Sequence, residues 1–329
     1  MLFPTTVFAL FFAIVFALHW SLVPFPRLRK VVLLTASFFF YGYWSWKFAL
    51  MLLASAVLNH AAACWIDRTA EPRARRRGVT LAVTANLLVL GIFKYTGFFF
   101  TKLLVPLAVP VCARFGTTEQ LIALQEHVLP VIEKIVLPVG ISFYTFQALS
   151  YVVDVYWRKT PVAASTLDFA NYLAFFPQLV AGPIVRAVDL LPQMARFPDY
   201  SARLDTGRAA TLILGGLFKK MVIANWLAEH LADPVFAMPE TYGTADLILG
   251  VYGYALQIYC DFSAYSDIAI GCALLLGFEF PINFNAPYFS VTLQEFWRRW
   301  HISLSSWLRD YLYIPLGGSR VSPVRTRIN

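Results

Sequence analysis

The sequence predicts an all-α, polytopic membrane protein. Of its 329 residues, 59% are hydrophobic and only 14% are charged, whereas about 25% of the residues in ordinary soluble domains are charged. The chain also contains 29 Phe, 16 Tyr and 9 Trp, more bulky side chains than the core of one soluble domain of this size can enclose. Lipid must therefore surround most of these side chains, and apolar runs of about 20 residues can cross it as helices.

The positive charges lie between the apolar runs and indicate how the chain crosses the bilayer. Twenty of the 27 basic residues fall in segments that we assign to the cytoplasm and four in segments that we assign to the outside, an asymmetry typical of multi-span membrane proteins. The net charge of +8 does not indicate nucleic acid binding, because no basic folded face is formed. The four cysteines stand singly, so we expect no disulfide framework and no metal site.

Seven apolar runs predict transmembrane helices. The first has no basic flank and no convincing cleavage site, so we interpret it as a retained span and not as a signal peptide. The second and third form a tight hairpin that breaks near Trp46 and Lys47. We expect residues 101–134 to lie outside or in the interface. In chain order, the runs cover residues 2–23, the two halves of 31–66, 79–100, 135–157, 209–232 and 245–278.

A further apolar stretch, residues 168–185, begins and ends on the same side of the membrane in this scheme. Its FFPQLVAGPIV motif contains Pro177, Gly182 and Pro183, which interrupt helical hydrogen bonding. Irregular backbone at membrane depth must be shielded from lipid. The stretch therefore predicts a re-entrant element that lines a cavity.

Four charged side chains interrupt the last two runs. Asp261 and Asp267 occur in QIYCDFSAYSDIAIG, and Lys219 and Lys220 in GLFKKMVIAN. A charge at bilayer depth costs about 3 kcal/mol, so it needs a partner or a function. The aspartates fit a water-filled vestibule, which suits a cation-coupled transporter equally well, and we expect the lysines to extend toward lipid headgroups.

The most informative motif is PYFSVTLQEFWRRWHISLSSWLRDYLYIPLGG. Thr292 and Glu295 have the spacing of a capping box, and the residues after them predict one amphipathic helix. A basic helix lying on the cytoplasmic leaflet is one interpretation. That interpretation does not explain why the imidazole of His301 lies beside the apolar face, with the cation of Arg298 and the hydroxyl of Ser305 one turn away. This arrangement favours a functional site in a protein cavity. The polar positions of this helix include Gln294, Arg298, His301, Ser305 and Asp310.

These motifs, together with LPVGISFYTFQALSYVVDVY, FFPQLVAGPIVR and LGFEFPINFNAPYFS, resemble the membrane-bound O-acyltransferase family, in particular its bacterial branch typified by the membrane subunit of alginate O-acetylation. The resemblance implies N-terminal spans over residues 1–134 and a core acyltransferase region over 135–329. It also implies a tunnel through the bilayer, by which an acyl group passes from a cytoplasmic thioester to a hydroxyl on the outer side.

The resemblance also implies roles for individual residues. His301 matches the histidine of the family's WHxS motif near the cytoplasmic mouth of the tunnel. Arg298, Asp310 and the motif from Asp261 to Asp267 match positions that line or brace the chamber. The family's other histidine, held to be the catalytic one, lies on a following helix beyond Asn329, so we expect the chain as given to be truncated.

The resemblance further implies acetyl-CoA or another acyl thioester as donor, no bound cofactor, and a polysaccharide as acceptor. It also implies an exported O-acetyltransferase partner, insertion into the lipid bilayer and a location in the bacterial inner membrane. Two alternatives stay open: a polysaccharide or lipid transporter, and a non-catalytic membrane scaffold of a polysaccharide-modifying complex.

Overall fold

A computed structural model describes residues 3–104, 136–197 and 204–320, together with residues 106, 107, 110, 114, 324 and 325. In this part of the chain all regular structure is helical, which confirms the predicted all-α fold. Residues 101–134, predicted as an outer segment, lie almost entirely outside the described residues. The main helices are α1 (Thr6–Ser21), α2 (Pro26–Gly42), α3 (Trp46–Arg68), α4 (Pro72–Phe98), α5 (Ile141–Tyr156), α6 (Thr166–Ala174), α7 (Phe176–Leu179), α8 (Ala187–Ala195), α9 (Thr206–Ala237), α10 (Thr244–Leu275), α11 (Leu293–Arg299) and α12 (Ile302–Leu308).

Four of the helices in the described ranges, α3, α4, α9 and α10, are long and apolar enough to cross a membrane, and α1 is apolar but shorter. The chain is therefore a polytopic membrane protein, and the count of seven spans stays a prediction. The hairpin break predicted near Trp46 is confirmed, because α2 ends at Gly42 and α3 begins at Trp46.

Two basic clusters that we placed in loops lie instead in the first turns of helices. Pro26 and Pro72 stand at the starts of α2 and α4, where proline is favoured because its missing N–H would have no partner there. The arginines that follow each proline therefore belong to the helix, and each helix begins before the apolar run that predicted it.

Contacts between helix ends place the basic segments at one end of the bundle, which we call the basic end. They join the start of α4 to the end of α5, the start of α2 to the start of α6, and the end of α1 to the end of α10. The contacts are Arg75 Nη2 to the Tyr156 carbonyl oxygen (2.9 Å), Lys30 Nζ to Asp168 Oδ1 (2.5 Å), and His19 Nε2 to the Leu276 carbonyl oxygen (3.0 Å). This grouping agrees with the alternation of spans read from the loop charges.

The predicted irregular element over residues 168–185 is present as two short helices, α6 and α7, followed by extended backbone. Phe175, Phe176 and Val185 are fully buried. A Cβ atom at Gly182 would lie 2.6 Å from the Cα atom of Gln178, so only glycine permits this turn. The irregular backbone is enclosed by protein, as membrane depth requires, and its entry into the bilayer stays a prediction.

Helices α9 and α10 pack closely along their length. A Cβ atom added at Gly216 would lie 2.9 Å from the Ala264 carbonyl oxygen, and one at Gly271 would lie 2.9 Å from the Ala209 carbonyl oxygen. Small residues of this kind let two membrane helices approach each other. The close approach brings the charged residues of the two helices within reach of each other.

The chain after α10 turns back along that helix. The Tyr288 hydroxyl donates to the carbonyl oxygen of Ala255 (2.7 Å), which lies 20 residues before the end of α10, or about 30 Å along a helix. Helices α11 and α12 then return toward the basic end, where the Tyr311 hydroxyl donates to Asp154 (2.6 Å) near the end of α5. Residues 276–313 therefore form a hairpin that runs along α10, with most of α11 exposed.

The prediction of one continuous helix from residue 293 to 311 is wrong. The helix breaks at Trp300, which is extended (φ −97°, ψ 126°), and at His301, which is left-handed (φ 43°). Backbone hydrogen bonds to another segment hold the break open: Ile302 N–H donates to the carbonyl oxygen of Asn283, and Asn285 N–H to that of Arg299 (both 2.9 Å).

Candidate active site

The imidazole of His301 is buried at the break between α11 and α12, with 7% of the residue exposed. The ring of Phe262 meets it edge-on with centroids 4.8 Å apart, and the rings of Phe143 and Phe284 face it at 6.3 Å. Phe262 lies 13 residues before the end of α10, or about 20 Å from the basic end. His301 is thus enclosed by aromatic rings deep in the bundle.

A polar network holds one side of the imidazole. His301 Nδ1 lies 3.2 Å from Asn283 Oδ1, which also accepts hydrogen bonds from the backbone N–H (3.2 Å) and the hydroxyl (2.9 Å) of Ser303. Asn283 Nδ2 donates to the Ser266 hydroxyl (3.0 Å), and the Ile184 N–H donates to the Ser303 hydroxyl (3.0 Å). The network joins α10, α12 and the extended segment after α7.

Aromatic and polar contacts fix α12 against α5. The indole of Trp307 stacks on Phe146 with centroids 4.4 Å apart and donates to the Phe146 carbonyl oxygen (2.9 Å). The ring of Tyr311, whose hydroxyl binds Asp154, stacks on Trp157 at 5.8 Å. Because α12 begins immediately after His301, these contacts also fix the position of the imidazole.

Asp310 lies at the basic end and not beside His301. Its carboxylate accepts hydrogen bonds from Arg186 (2.7 Å) and Arg309 (2.7 Å). The guanidinium of Arg186 also lies over the ring of Tyr311, 5.4 Å from the centroid. Asp310 therefore ties the end of the hairpin to the segment between α7 and α8, and a role in lining or bracing the chamber stays a prediction.

Asp261 and Asp267 each form an ion pair with a lysine of α9. Lys220 lies 2.5 Å from Asp261, and Lys219 lies 2.5 Å from Asp267 and 3.0 Å from the Ser263 hydroxyl. The expectation that the lysines extend to lipid headgroups is wrong, because α9 packs against α10 and offers them carboxylates. The aspartates lie on the same helix as Phe262 and Ser266 but face α9 instead of His301.

The remaining predicted site residues lie apart from the imidazole. Gln294 and Arg298 are exposed on α11, and the Ser305 hydroxyl donates to the Trp300 carbonyl oxygen (3.2 Å). The predicted polar strip through these residues and His301 does not form, because the break at His301 changes the direction of the following helix.

A cavity of about 530 Å³ lies between α1, α2 and the start of α5, lined in part by Phe40, Tyr41, Trp44 and Val139. His301 is not among its lining residues, so the continuous tunnel stays a prediction. The cavity lies away from the basic end, because the Tyr41 hydroxyl, at the end of α2, donates to the carbonyl oxygen of Val139 just before α5 (2.7 Å).

The sequence did not reveal the residues that hold His301. Asn283 stands in PINFNAPYF, 18 residues before His301, and neither periodicity nor spacing marks it as a neighbour of the imidazole. Ser266 belongs to the motif that contains Asp267, and Ser303 belongs to WHIS. Two residues of the network therefore lie in motifs that the sequence analysis had identified.

Comparison with known proteins gives a consistent result. The model of the membrane-bound O-acyltransferase family matches residues 161–326. The chain is 42% identical over its whole length to the probable alginate O-acetylase AlgI of Pseudomonas aeruginosa and covers 60% of that protein.

The names of more distant relatives specify other polymers. The peptidoglycan O-acetyltransferase of Helicobacter pylori is 36% identical over 90% of this chain and 57% of its own length. The teichoic acid D-alanyltransferase of Streptococcus thermophilus is 32% identical over 54% of this chain and 43% of its own length. The chain spans about 60% of the length of the alginate O-acetylases that match it from end to end.

Proposed function

The chain belongs to the membrane-bound O-acyltransferase family, and we propose a function for the protein on this basis. The protein moves an acetyl group from a cytoplasmic thioester across the membrane to O-acetylate an extracellular polysaccharide. The names of its relatives support acyl transfer to a cell-surface polymer. The observation that carries the proposal here is the burial of the His301 imidazole among aromatic rings, about 20 Å from the basic end.

Acyl transfer to a hydroxyl requires a group that takes the hydroxyl proton and surroundings that exclude water, because water would hydrolyse the thioester. Phe143, Phe262 and Phe284 supply apolar surroundings, and the imidazole of His301 can accept a proton. We assign His301 the role of binding or deprotonating the acceptor hydroxyl.

The donor is acetyl-CoA or another acyl thioester with an anionic carrier. Positive charges at the basic end attract such a carrier over a range of about 8 Å at physiological ionic strength. Arg298 lies on α11, between His301 and the contact of Tyr288 with Ala255, and is therefore too far from the basic end to contribute to this attraction. We place the basic end in the cytoplasm on the distribution of Lys and Arg, and the protein in a bacterial inner membrane on the family resemblance.

The acceptor is a polysaccharide, and an exported O-acetyltransferase partner completes the transfer to it. Alginate is favoured by the whole-length match to a probable alginate O-acetylase. Two other functions compete with this one: a transporter of polysaccharide or lipid, and a scaffold that holds a modifying complex without catalysing the reaction.

Labelled acetyl transfer by membranes that contain the complete protein, with the exported partner added, separates these functions. With labelled acetyl-CoA and purified alginate, we expect alkali-labile label on the polymer. We expect His301→Ala to reduce it at least 100-fold, within the range that acid–base groups contribute. His230→Ala is the matched control, because His230 is exposed on α9, and within the described residues its ring stacks on Trp226 at 5.3 Å with Nδ1 3.2 Å from the Trp226 carbonyl oxygen.

The competing functions predict other results. A transporter would move polymer or lipid without forming labelled ester. A scaffold would leave ester formation unchanged in the His301→Ala variant, whereas deletion of the whole scaffold protein would release the partner protein. Wild-type rates in His301→Ala would remove His301 from the site.

A further inference from the structure

The orientation of the Asn283 side-chain amide is fixed by the backbone. The Ser303 N–H lies 3.2 Å from Asn283 Oδ1, and a backbone N–H can only donate. Exchanging the amide oxygen and nitrogen would place two donors face to face. The Ser266 hydroxyl, 3.0 Å from Nδ2, accepts from the amide in the same orientation.

This orientation determines which nitrogen of His301 carries the proton. His301 Nδ1 faces Asn283 Oδ1 at 3.2 Å, and that oxygen can only accept. The Ser303 hydroxyl, 3.5 Å from Nδ1, cannot supply a hydrogen, because it donates to Asn283 Oδ1 at 2.9 Å and accepts from the Ile184 N–H. A neutral imidazole in this position therefore has its hydrogen on Nδ1.

The opposite nitrogen is left with its lone pair. Among the described residues no hydrogen bond to His301 Nε2 is formed, and the side chains that face the ring from α5, α10 and the hairpin are Phe143, Phe262 and Phe284. Such rings offer no strong donor that would occupy the lone pair. Nε2 is thus the nitrogen available to a substrate hydroxyl.

We propose that Asn283 is the positioning residue that keeps His301 in the tautomer with Nδ1–H, so that Nε2 acts as proton acceptor in acyl transfer. This inference rests on the proposed function. In the step itself, the acceptor hydroxyl oxygen forms a bond to the acyl carbon, the carbon–sulfur bond breaks, and the hydroxyl proton passes to Nε2. The same proton then reaches the thiolate leaving group, which restores the neutral imidazole.

Asn283 also holds the helix that follows His301. Its backbone carbonyl oxygen accepts from the Ile302 N–H (2.9 Å), and its Oδ1 accepts from the Ser303 N–H. These are the first two N–H groups of α12, which lack partners within the helix. A test must therefore separate the effect of Asn283 on the tautomer from its effect on folding.

Nitrogen-15 NMR of the complete protein, labelled on histidine, measures the tautomer without reference to activity. The His301 signal is identified as the one missing from a His301→Gln spectrum. We expect a protonated Nδ1 and an unprotonated Nε2 in the wild type. The opposite tautomer would overturn the proposal, whatever the enzyme assay shows.

Kinetics supply the second readout. Asn283→Leu removes the acceptor at similar volume, and we expect kcat to fall 10-fold to 1,000-fold with KM changed less than threefold, because the imidazole loses its fixed tautomer. Asn283→Asp retains the acceptor oxygens and should restore kcat to within 10-fold of the wild type. Ser306→Ala, which removes a hydroxyl from α12 that binds only the Ser303 carbonyl oxygen, is the control with wild-type kcat.

The outcomes distinguish this proposal from the proposed function. If His301→Ala is inactive but Asn283→Leu keeps the wild-type kcat, the positioning role is wrong and the function stands. If His301→Ala is fully active, the function assigned to His301 is wrong, and the NMR result still decides whether Asn283 sets the tautomer. If Asn283→Asp is as inactive as Asn283→Leu, the reaction does not depend on a hydrogen-bond acceptor at residue 283, and the positioning role is wrong.

Discussion

The ammonium nitrogen of Lys219 lies 2.5 Å from a carboxylate oxygen of Asp267, and both side chains are about three-quarters buried. Lys219 stands 13 residues after the start of α9, or about 20 Å along the helix. Two opposite charges on different, largely apolar helices are thus paired, which offsets the cost that lipid imposes on a single charge. The adjacent pair of Lys220 and Asp261 repeats the arrangement.

We expect Lys219→Met to lower the free energy of unfolding by about 1–3 kcal/mol, because it leaves Asp267 charged and unpaired. The double variant Lys219→Met, Asp267→Leu should regain most of this loss. Denaturant unfolding in detergent measures both values. Strictly additive effects of the two substitutions would show that the pair does not stabilise the fold.

The carboxylate of Asp310 gives a pH-dependent contribution to stability. Desolvation raises the pKa of Asp310, but hydrogen bonds and charges from Arg309 and Arg186 outweigh it, so the pKa lies below its ordinary value. A lowered carboxyl pKa means that stabilisation is complete above the ordinary value of about 3.9 and is lost as the pH falls through the lowered one.

Thermal unfolding of the wild type and Asp310→Asn between pH 7 and pH 3 tests this sign. We expect the wild type to be more stable by about 1 kcal/mol at pH 7 and the difference to shrink below pH 4. A difference that grows as the pH falls would contradict the account of this ion pair.

Adjacent glycines of α9 provide a matched test of the contact with α10. A Cβ at Gly216 would lie 2.6 Å from Ile268 Cγ1 and 2.9 Å from the Ala264 carbonyl oxygen, whereas a Cβ at Gly215 meets nothing within 4 Å. We expect Gly216→Ala to destabilise the protein by about 1–3 kcal/mol, because α10 must shift. Gly215→Ala should be neutral or stabilising by up to about 1 kcal/mol. Equal melting temperatures for the two variants would mean that the helices are not in close contact.

The helices that cross the membrane could be predicted from the sequence because the bilayer imposes a simple condition. Every backbone N–H and C=O in lipid needs a partner within its own segment, so length and hydropathy suffice to locate helices such as α3 and α10. The predicted starts of α2 and α4 were less accurate, because the arginines after Pro26 and Pro72 are helical although the apolar runs begin later.

The break at His301 could not be predicted, because it depends on residues 283–285. The periodicity of residues 293–311 fits one helix, and tertiary hydrogen bonds from Asn283 override that local preference. The ion pairs were missed for a similar reason. All four charged residues were noticed, but pairing Lys219 with Asp267 requires knowing that α9 lies against α10.

Transfer across a sealed bilayer tests the central claim most directly. The complete protein would be reconstituted in vesicles with labelled acetyl-CoA trapped on the side of the basic end and its exported partner and alginate on the other. We predict that label appears as ester on external alginate with the wild type and with His230→Ala, and at least 100-fold more slowly with His301→Ala. Equal transfer by the His301→Ala variant, or ester formed only when donor and alginate share one compartment, would contradict the account.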